Sequence, residues 1–202
     1  MSRSSVPHVV AIAGPSGSGK TSLARLLAAG VPGGGVVVAL DAYYRDQRGV
    51  PDDQINVDVP DALDHALLIR QVAALAAGQP VRQPVYDYAT HARLDDTRRV
   101  DPAPFVIVEG LFALYWSDVR AVVTTPVYLN LAHDACLARR VARDVAERGR
   151  EADAVRQHYQ RSVRPMYDRH VHPTRAYARL LLDATQPLEA LVEKTLAALA
   201  VR

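Results

Sequence analysis

The chain has 202 residues, 49% of them hydrophobic and 23% charged, with a net charge of +2. That is length enough for one domain with a sizeable core, and the balanced charge excludes the strong basic excess of a general nucleic-acid binder, so any basic site must be local. A single cysteine, Cys136, excludes an intrachain disulfide and a structural zinc cluster.

Residues 1–6 carry no apolar run that could serve as a signal peptide. No stretch approaches the roughly 18 apolar residues of a membrane span, so a cytoplasmic protein without a membrane partner is expected. Residues 9–13, VVAIA, read as a buried strand ending at Gly14. A helix is expected over 21–29, stopped by Gly30 and a glycine-rich loop over 31–35. Residues 36–40, VVVAL, form a second buried strand, followed by a long polar loop over 41–60. Asp61 is expected to cap a helix running to about residue 77, ended by Gly78 and Pro80.

Residues 81–104 hold several prolines and short extended pieces, which suit a hairpin or small lobe better than core. The third and fourth strands are expected over 105–108 and 127–131. Helices follow to about residue 148 and over about 153–164, then a fifth strand over 178–182 and a closing helix over 187–200. Strands apolar on both faces and separated by helices imply a parallel sheet covered on both sides. With the glycine-rich run GPSGSGKT over 14–21 between the first strand and helix, the expected fold is an α/β P-loop domain over 1–202 with five parallel strands.

The segment Gly14 to Thr21 reads G-P-S-G-S-G-K-T. Such a run, between a strand and a helix, lets backbone N–H groups curl around phosphate oxygens at a helix N-terminus. Gly14, Pro15, Ser16, Gly17, Ser18, Gly19, Lys20, Thr21 and Ser22 are therefore the expected nucleotide cradle. Lys20 is placed for the β/γ-phosphates and Thr21 for Mg²⁺. An ordinary glycine-rich turn is the bland alternative, and the full pattern in this context argues against it. No guanine-reading N-K-x-D follows, which disfavours a GTPase switch.

In a parallel sheet the strand C-termini share one edge, where ligands bind. Asp41 follows the second strand and Glu109 the third, so both should face the crevice of the glycine loop. Glu109 then suits Mg²⁺ and Asp41 suits a general base for phosphoryl transfer to an alcohol. Either could instead be a capping or loop carboxylate; convergence on the cradle favours chemistry.

The segment 136–150, CLARRVARDVAERGR, is an arginine-rich helix. Leu137, Val141 and Val145 recur at i, i+4 and i+8 and are expected to pack inward, with Arg139, Arg140 and Arg143 opposite. Arg148 and Arg150 sit at its glycine-broken end. The bland reading is a solvated face with ion pairs to Asp144 and Glu147. The functional reading is a lid over 134–164 that brings guanidinium groups, Arg143 among them, onto the transferring phosphoryl.

From about residue 9 to 183 the chain resembles the uridine kinase (uridine–cytidine kinase) family. The resemblance is carried by GPSGSGKTS, LDAYYRD (40–46), NVDVPDALD (56–64), YDYATHAR (86–93), VIVEG (106–110), RRVARDVAERGR (139–150) and VRPMYDRHVHPTRAYA (163–178). It implies phosphorylation of the 5′-hydroxyl of uridine or cytidine by ATP or GTP with Mg²⁺, in pyrimidine salvage. It implies Asp41 as the base, Tyr44 and Asp58 as nucleoside contacts, Tyr86 and His91 as base readers, and Tyr88 as an aromatic packed by the base. Arg140 matches a ribose contact, and Arg143, Arg148 and Arg150 match lid residues. The residues 81–104 would form the acceptor-site lobe, and the family is often tetrameric.

The chain departs from the family at Val57-Asp58-Val59-Pro60, where an aromatic, Asp, His and Pro are usual. It also has His158 where a glutamine usually precedes the tyrosine matching Tyr159. Rival readings are a phosphoribulokinase-like or pantothenate-kinase-like enzyme, or a noncatalytic ATP-binding regulator. A phosphorylated acceptor would call for a second basic cluster, and NVDVPDALD offers carboxylates instead.

Overall fold

The computed structural model describes residues 7–51 and 54–200. Residues 1–6 and the pair 52–53 of the polar loop lie outside the described residues.

Among the described residues seven strands form two sheets. β1 (His8–Ala13), β2 (Gly35–Ala39), β5 (Phe105–Glu109), β6 (Thr125–Asn130) and β7 (Leu180–Asp183) make a parallel sheet in the order β2-β5-β1-β6-β7. β3 (Val81–Asp87) and β4 (Ala92–Val100) make the antiparallel hairpin expected over 81–104. β1 shows why the large sheet is covered on both sides. Val9, Ala11 and Ala13 join one core with Val106, Val108, Leu68 and Val72. Val10 and Ile12 point the other way, into a second core with Leu23, Leu27, Ile107 and Leu191. Successive side chains alternate faces, and each fully buried Val, Leu or Ile contributes about 1.5–3 kcal/mol.

α1 (Lys20–Gly30) and α7 (Leu188–Ala200) cover one face, and α2 (His65–Ala76) the other. The cap of α2 is Asp64, not Asp61: its carboxylate accepts from Leu67 N at 3.1 Å. Asp61 lies instead in a 3₁₀ turn, Pro60–Ala62. Leu63 then pairs with Tyr44 in an isolated antiparallel bridge, so the chain must run extended for a residue before the helix can start. A short helix, α3 (Ser117–Val122), has no counterpart in the sequence reading. At six residues it is too short to display a helical period, and buried Val119 anchors it.

α4 (His133–Arg148) corrects the expected helical face. Val145 is exposed, and the buried residues are Cys136, Arg140 and Asp144. Leu137 packs only partly buried against the second core. The buried stripe is offset by one residue from the apolar one because this side of the helix meets a polar cavity.

The helix expected to end near residue 164 is part of a longer helical run. α5 (Ala152–His158) passes into a π-helical turn (Tyr159–Val163), α6 (Arg164–Met166), a second π turn (Tyr167–Val171) and a 3₁₀ turn (His172–Tyr177). Val155, Tyr159, Val163, Tyr167 and Val171 are all buried, at intervals of four. In an α-helix a four-residue step overshoots one turn by about 40°. The wider i→i+5 turns undershoot it and keep the stripe on one face. Among the described residues no helix is long and apolar enough to cross a membrane.

Candidate active site

The loop between β1 and α1 depends on its glycines. Gly14 has φ +147°, and a Cβ there would lie 2.5 Å from the Leu129 carbonyl oxygen. Gly17 and Gly19 also have positive φ, at +80° and +91°, which L side chains rarely adopt. Ser18 N donates to Pro15 O at 3.2 Å, closing the turn. Lys20 opens α1, and its Nζ donates to Pro15 O at 2.8 Å. Burial pushes its pKa down, against the opposing pull of Glu109 and Asp41. Gly14, Pro15 and Ser18 shape the loop, while Ser16, Gly17, Gly19, Lys20, Thr21 and Ser22 line a cavity of about 340 Å³.

The register of the sheet brings two carboxylates to this cavity. Glu109 ends β5 opposite Ile12 of β1 and Ala39 of β2. Its Oε1 accepts from Thr21 Oγ1 at 3.0 Å. Burial pushes the Glu109 carboxyl up, partly countered by Lys20. Gly110 follows with φ +154°, and a Cβ on it would meet Leu40 Cβ at 2.6 Å. Leu40 therefore packs directly on the Gly110 backbone, and the next residue, Asp41, reaches the same cavity.

Asp58 lies on the cavity wall and is 4% exposed. Its backbone N–H donates to Asn56 Oδ1 at 3.0 Å. Its buried Oδ2 has no hydrogen-bond partner among the described residues; His158 Nε2 stands 3.8 Å away. A buried carboxylate oxygen without a donor is costly and calls for a ligand group.

Beside it a second cavity, of about 390 Å³, is lined by Val57, Tyr88, His91, Arg148, Arg150 and His158 among others. Tyr44, Tyr86 and Tyr88 cluster with ring centroids 5.2–5.9 Å apart. Burial, then the nearby Asp41 carboxylate, pushes the Tyr88 phenol far up. Tyr86 lies off both cavities and meets the second through His91, whose Nδ1 is 3.3 Å from its hydroxyl. Tyr86 also borders a shallower depression with Asp41 and Arg98. Among the described residues His91 is the non-glycine residue with positive φ, at 51°. Asp87 holds that turn by accepting from Ala89 N at 2.9 Å and Thr90 Oγ1 at 2.7 Å.

α4 supplies the arginines. Arg140 donates to Ser16 Oγ at 3.2 Å, and Arg139 to Gly17 O at 3.3 Å and Ala184 O at 3.0 Å. The Arg148 guanidinium lies 5.1 Å from the Tyr88 ring centroid. Arg143 and Arg148 line the first cavity, and Arg150 the second. Of the ion pairs expected on a solvated face, those to Asp144 are present, but Asp144 is fully buried.

The sequence assigns no role to Arg93, and to Asp144 only that of an ion-pair partner on a solvated face. Arg93 donates to Tyr43 O at 2.8 Å, Tyr44 O at 2.9 Å and Asp64 Oδ2 at 2.9 Å, tying the hairpin to the segment that carries Asp41 and Tyr44. Its place at the end of YDYATHAR was the one available signal. Asp144 was legible only as an acid within an arginine run.

A five-stranded parallel sheet with a glycine cradle, two carboxylates at the same edge and converging arginines defines a P-loop kinase. The Phosphoribulokinase / Uridine kinase family model matches residues 9–187, and the chain belongs to that family. It is 38% identical to the uridine kinase of Lactobacillus helveticus over 181 residues, covering 87% of this chain and 86% of that one. It is 39% identical to the uridine kinase of Geobacillus kaustophilus over 180 residues, covering 87% and 85%. Its fold resembles a kinase from Silicibacter sp. assigned provisionally to a fructose transport system, with TM-score 0.71, 27% identity and 91% of each chain covered.

Proposed function

We propose that this chain transfers the γ-phosphoryl of ATP to the 5′-hydroxyl of uridine or cytidine, giving UMP or CMP for cytoplasmic pyrimidine salvage. The observation that carries the reading is one cavity shared by Lys20, Asp41 and Asp58. Lys20 and Asp41 suit the transfer, and the unpartnered Asp58 oxygen suits a neutral acceptor rich in hydroxyls. Within one domain over 1–202, residues 81–104 act as the acceptor lobe and 134–164 as a lid.

In this reading Asp41 accepts the 5′-hydroxyl proton as that oxygen bonds to the γ-phosphorus and the bond to the β-phosphate oxygen breaks. Lys20 and Arg143 stabilise charge on the moving phosphoryl. Tyr44 and Tyr88 flank the acceptor, Asp58 and Arg140 hold its ribose, and His91, oriented by Tyr86, reads the base edge. Arg148 and Arg150 close over it. Thr21 and Glu109 offer the hard oxygen donors that suit Mg²⁺ with nucleotide phosphates, and their 3.0 Å approach fits that role. The ion would supply charge neutralisation there.

A second reading, a kinase for another small alcohol, draws on the aliphatic wall that Val57 gives the acceptor cavity. A coupled assay with uridine, cytidine, deoxycytidine and ribulose 5-phosphate separates the two. Turnover of a pyrimidine riboside is expected; its absence with turnover of another alcohol would replace the main reading.

A further inference from the structure

We infer that Asp144 is the positioning residue that fixes the arginine cluster between the two cavities, an inference that rests on the kinase reading above. Asp144 is fully buried one turn before the C-terminal end of α4. Four guanidinium groups converge on it. Arg143 donates from Nε and Nη2 to Oδ1 at 2.9 and 2.7 Å. Arg148 Nη1 approaches Oδ1 at 3.3 Å, Arg150 Nη1 approaches Oδ2 at 3.5 Å, and Arg140 Nε approaches Oδ2 at 3.7 Å.

The local fold delivers them there. Arg140 and Arg148 are one helical turn before and after Asp144. At the C-terminus Gly149 takes φ +63°, and the N–H groups of Gly149 and Arg150 both return to the Asp144 carbonyl. That turn folds Arg150 back beside the carboxylate.

A buried carboxylate is tolerated only when paired, and a cluster of cations only when a counter-charge holds it. Asp144 meets both needs at once. It lines the acceptor cavity, and Arg140 and Arg148 line both cavities. Arg143 lies on the phosphate side, where its charge acts on Lys20. One carboxylate therefore sets the aim of guanidinium groups on both substrates. Without it the cations repel one another and are free to follow ground-state phosphates instead of the transferring group.

Asp144→Asn is expected to lower kcat about 100-fold, the effect of misplacing a catalytic group by about 1 Å. ATP affinity, measured by calorimetry, should stay within about threefold, because ground-state phosphates can recruit loose arginines. Asp144→Glu, which restores the charge, should recover part of kcat. A D144N enzyme with near wild-type kcat, or one whose kcat loss is matched by loss of ATP binding, would overturn the inference.

Should D144N fail to fold, the arginine Nε–H spectrum of the wild-type enzyme decides, with Arg143 assigned through Arg143→Lys. A resolved, slowly exchanging Arg143 Nε–H is expected; a fast-exchanging, averaged signal would overturn it. That spectrum is independent of turnover, so an enzyme inactive on every acceptor sinks the functional reading without deciding the role of Asp144.

Discussion

Arg93, on the hairpin, is bonded to Asp64, the cap of α2, at 2.9 Å. The same guanidinium also binds the Tyr43 and Tyr44 carbonyls, so one side chain locks the β3-β4 hairpin to the segment that carries Asp41. Each partner side chain is only 23% exposed, so the pair is not a solvated surface bridge.

Replacing Asp64 with Ala removes both the cap and the ion pair and is expected to cost about 1–2 kcal/mol. The effect should depend on pH. Burial opposes ionisation of Asp64, but the Arg93 hydrogen bond and the Leu67 N–H outweigh it and hold the carboxyl below its ordinary value of 3.8. Its folded pKa is thus depressed, so its contribution is complete above the unfolded value and is lost as pH falls through the folded one. Denaturant titrations of wild type and Asp64→Ala should differ at pH 7 and converge in strong acid. A constant difference across that window would assign the effect to the backbone alone.

Gly110→Ala tests how Asp41 is placed. The added methyl would sit 2.6 Å from Leu40 Cβ, next to Asp41 in the chain. We expect about 2 kcal/mol of destabilisation from overpacking and a positive φ. A fall in kcat of about tenfold or more should accompany it as Asp41 shifts. Full activity in a destabilised variant would mean that Leu40 moves without carrying Asp41.

His91 separates strain from function. Asparagine tolerates the left-handed backbone, so His91→Asn should hold stability within about 0.5 kcal/mol. Its kcat/KM for uridine should fall about tenfold or more, because the polar contact to the base proposed for His91 would be lost. Lost stability with retained kcat/KM would make His91 a turn residue only.

The five core strands were legible because each is apolar on both faces, as VVAIA and FVIV show. The cradle followed from the GPSGSGKT run between a strand and a helix, and the shared edge of Asp41 and Glu109 from parallel strand direction. What escaped depends on partners distant in sequence. Asp61 and Asp64 are equally good caps in isolation, and only the Tyr44–Leu63 bridge chooses between them. The apolar period of α4 points to Val145, yet the cavity turns the helix so that Arg140 and Asp144 are buried. The run beyond residue 164 passes through Pro165 and Pro173, which read as breaks; Pro165 instead sits at the start of α6, between the two π turns, and Pro173 in the first turn of the 3₁₀ segment.

In the proposed transfer Asp41 takes the proton of an acceptor hydroxyl while the cradle holds the nucleotide. Steady-state turnover of uridine by Asp41→Asn, with ATP binding measured on the same preparation, tests it most directly. A fall in kcat of about 10²–10⁴-fold is expected, the usual contribution of a positioned base, with ATP affinity unchanged. A variant that turns over uridine at nearly the wild-type rate would contradict it.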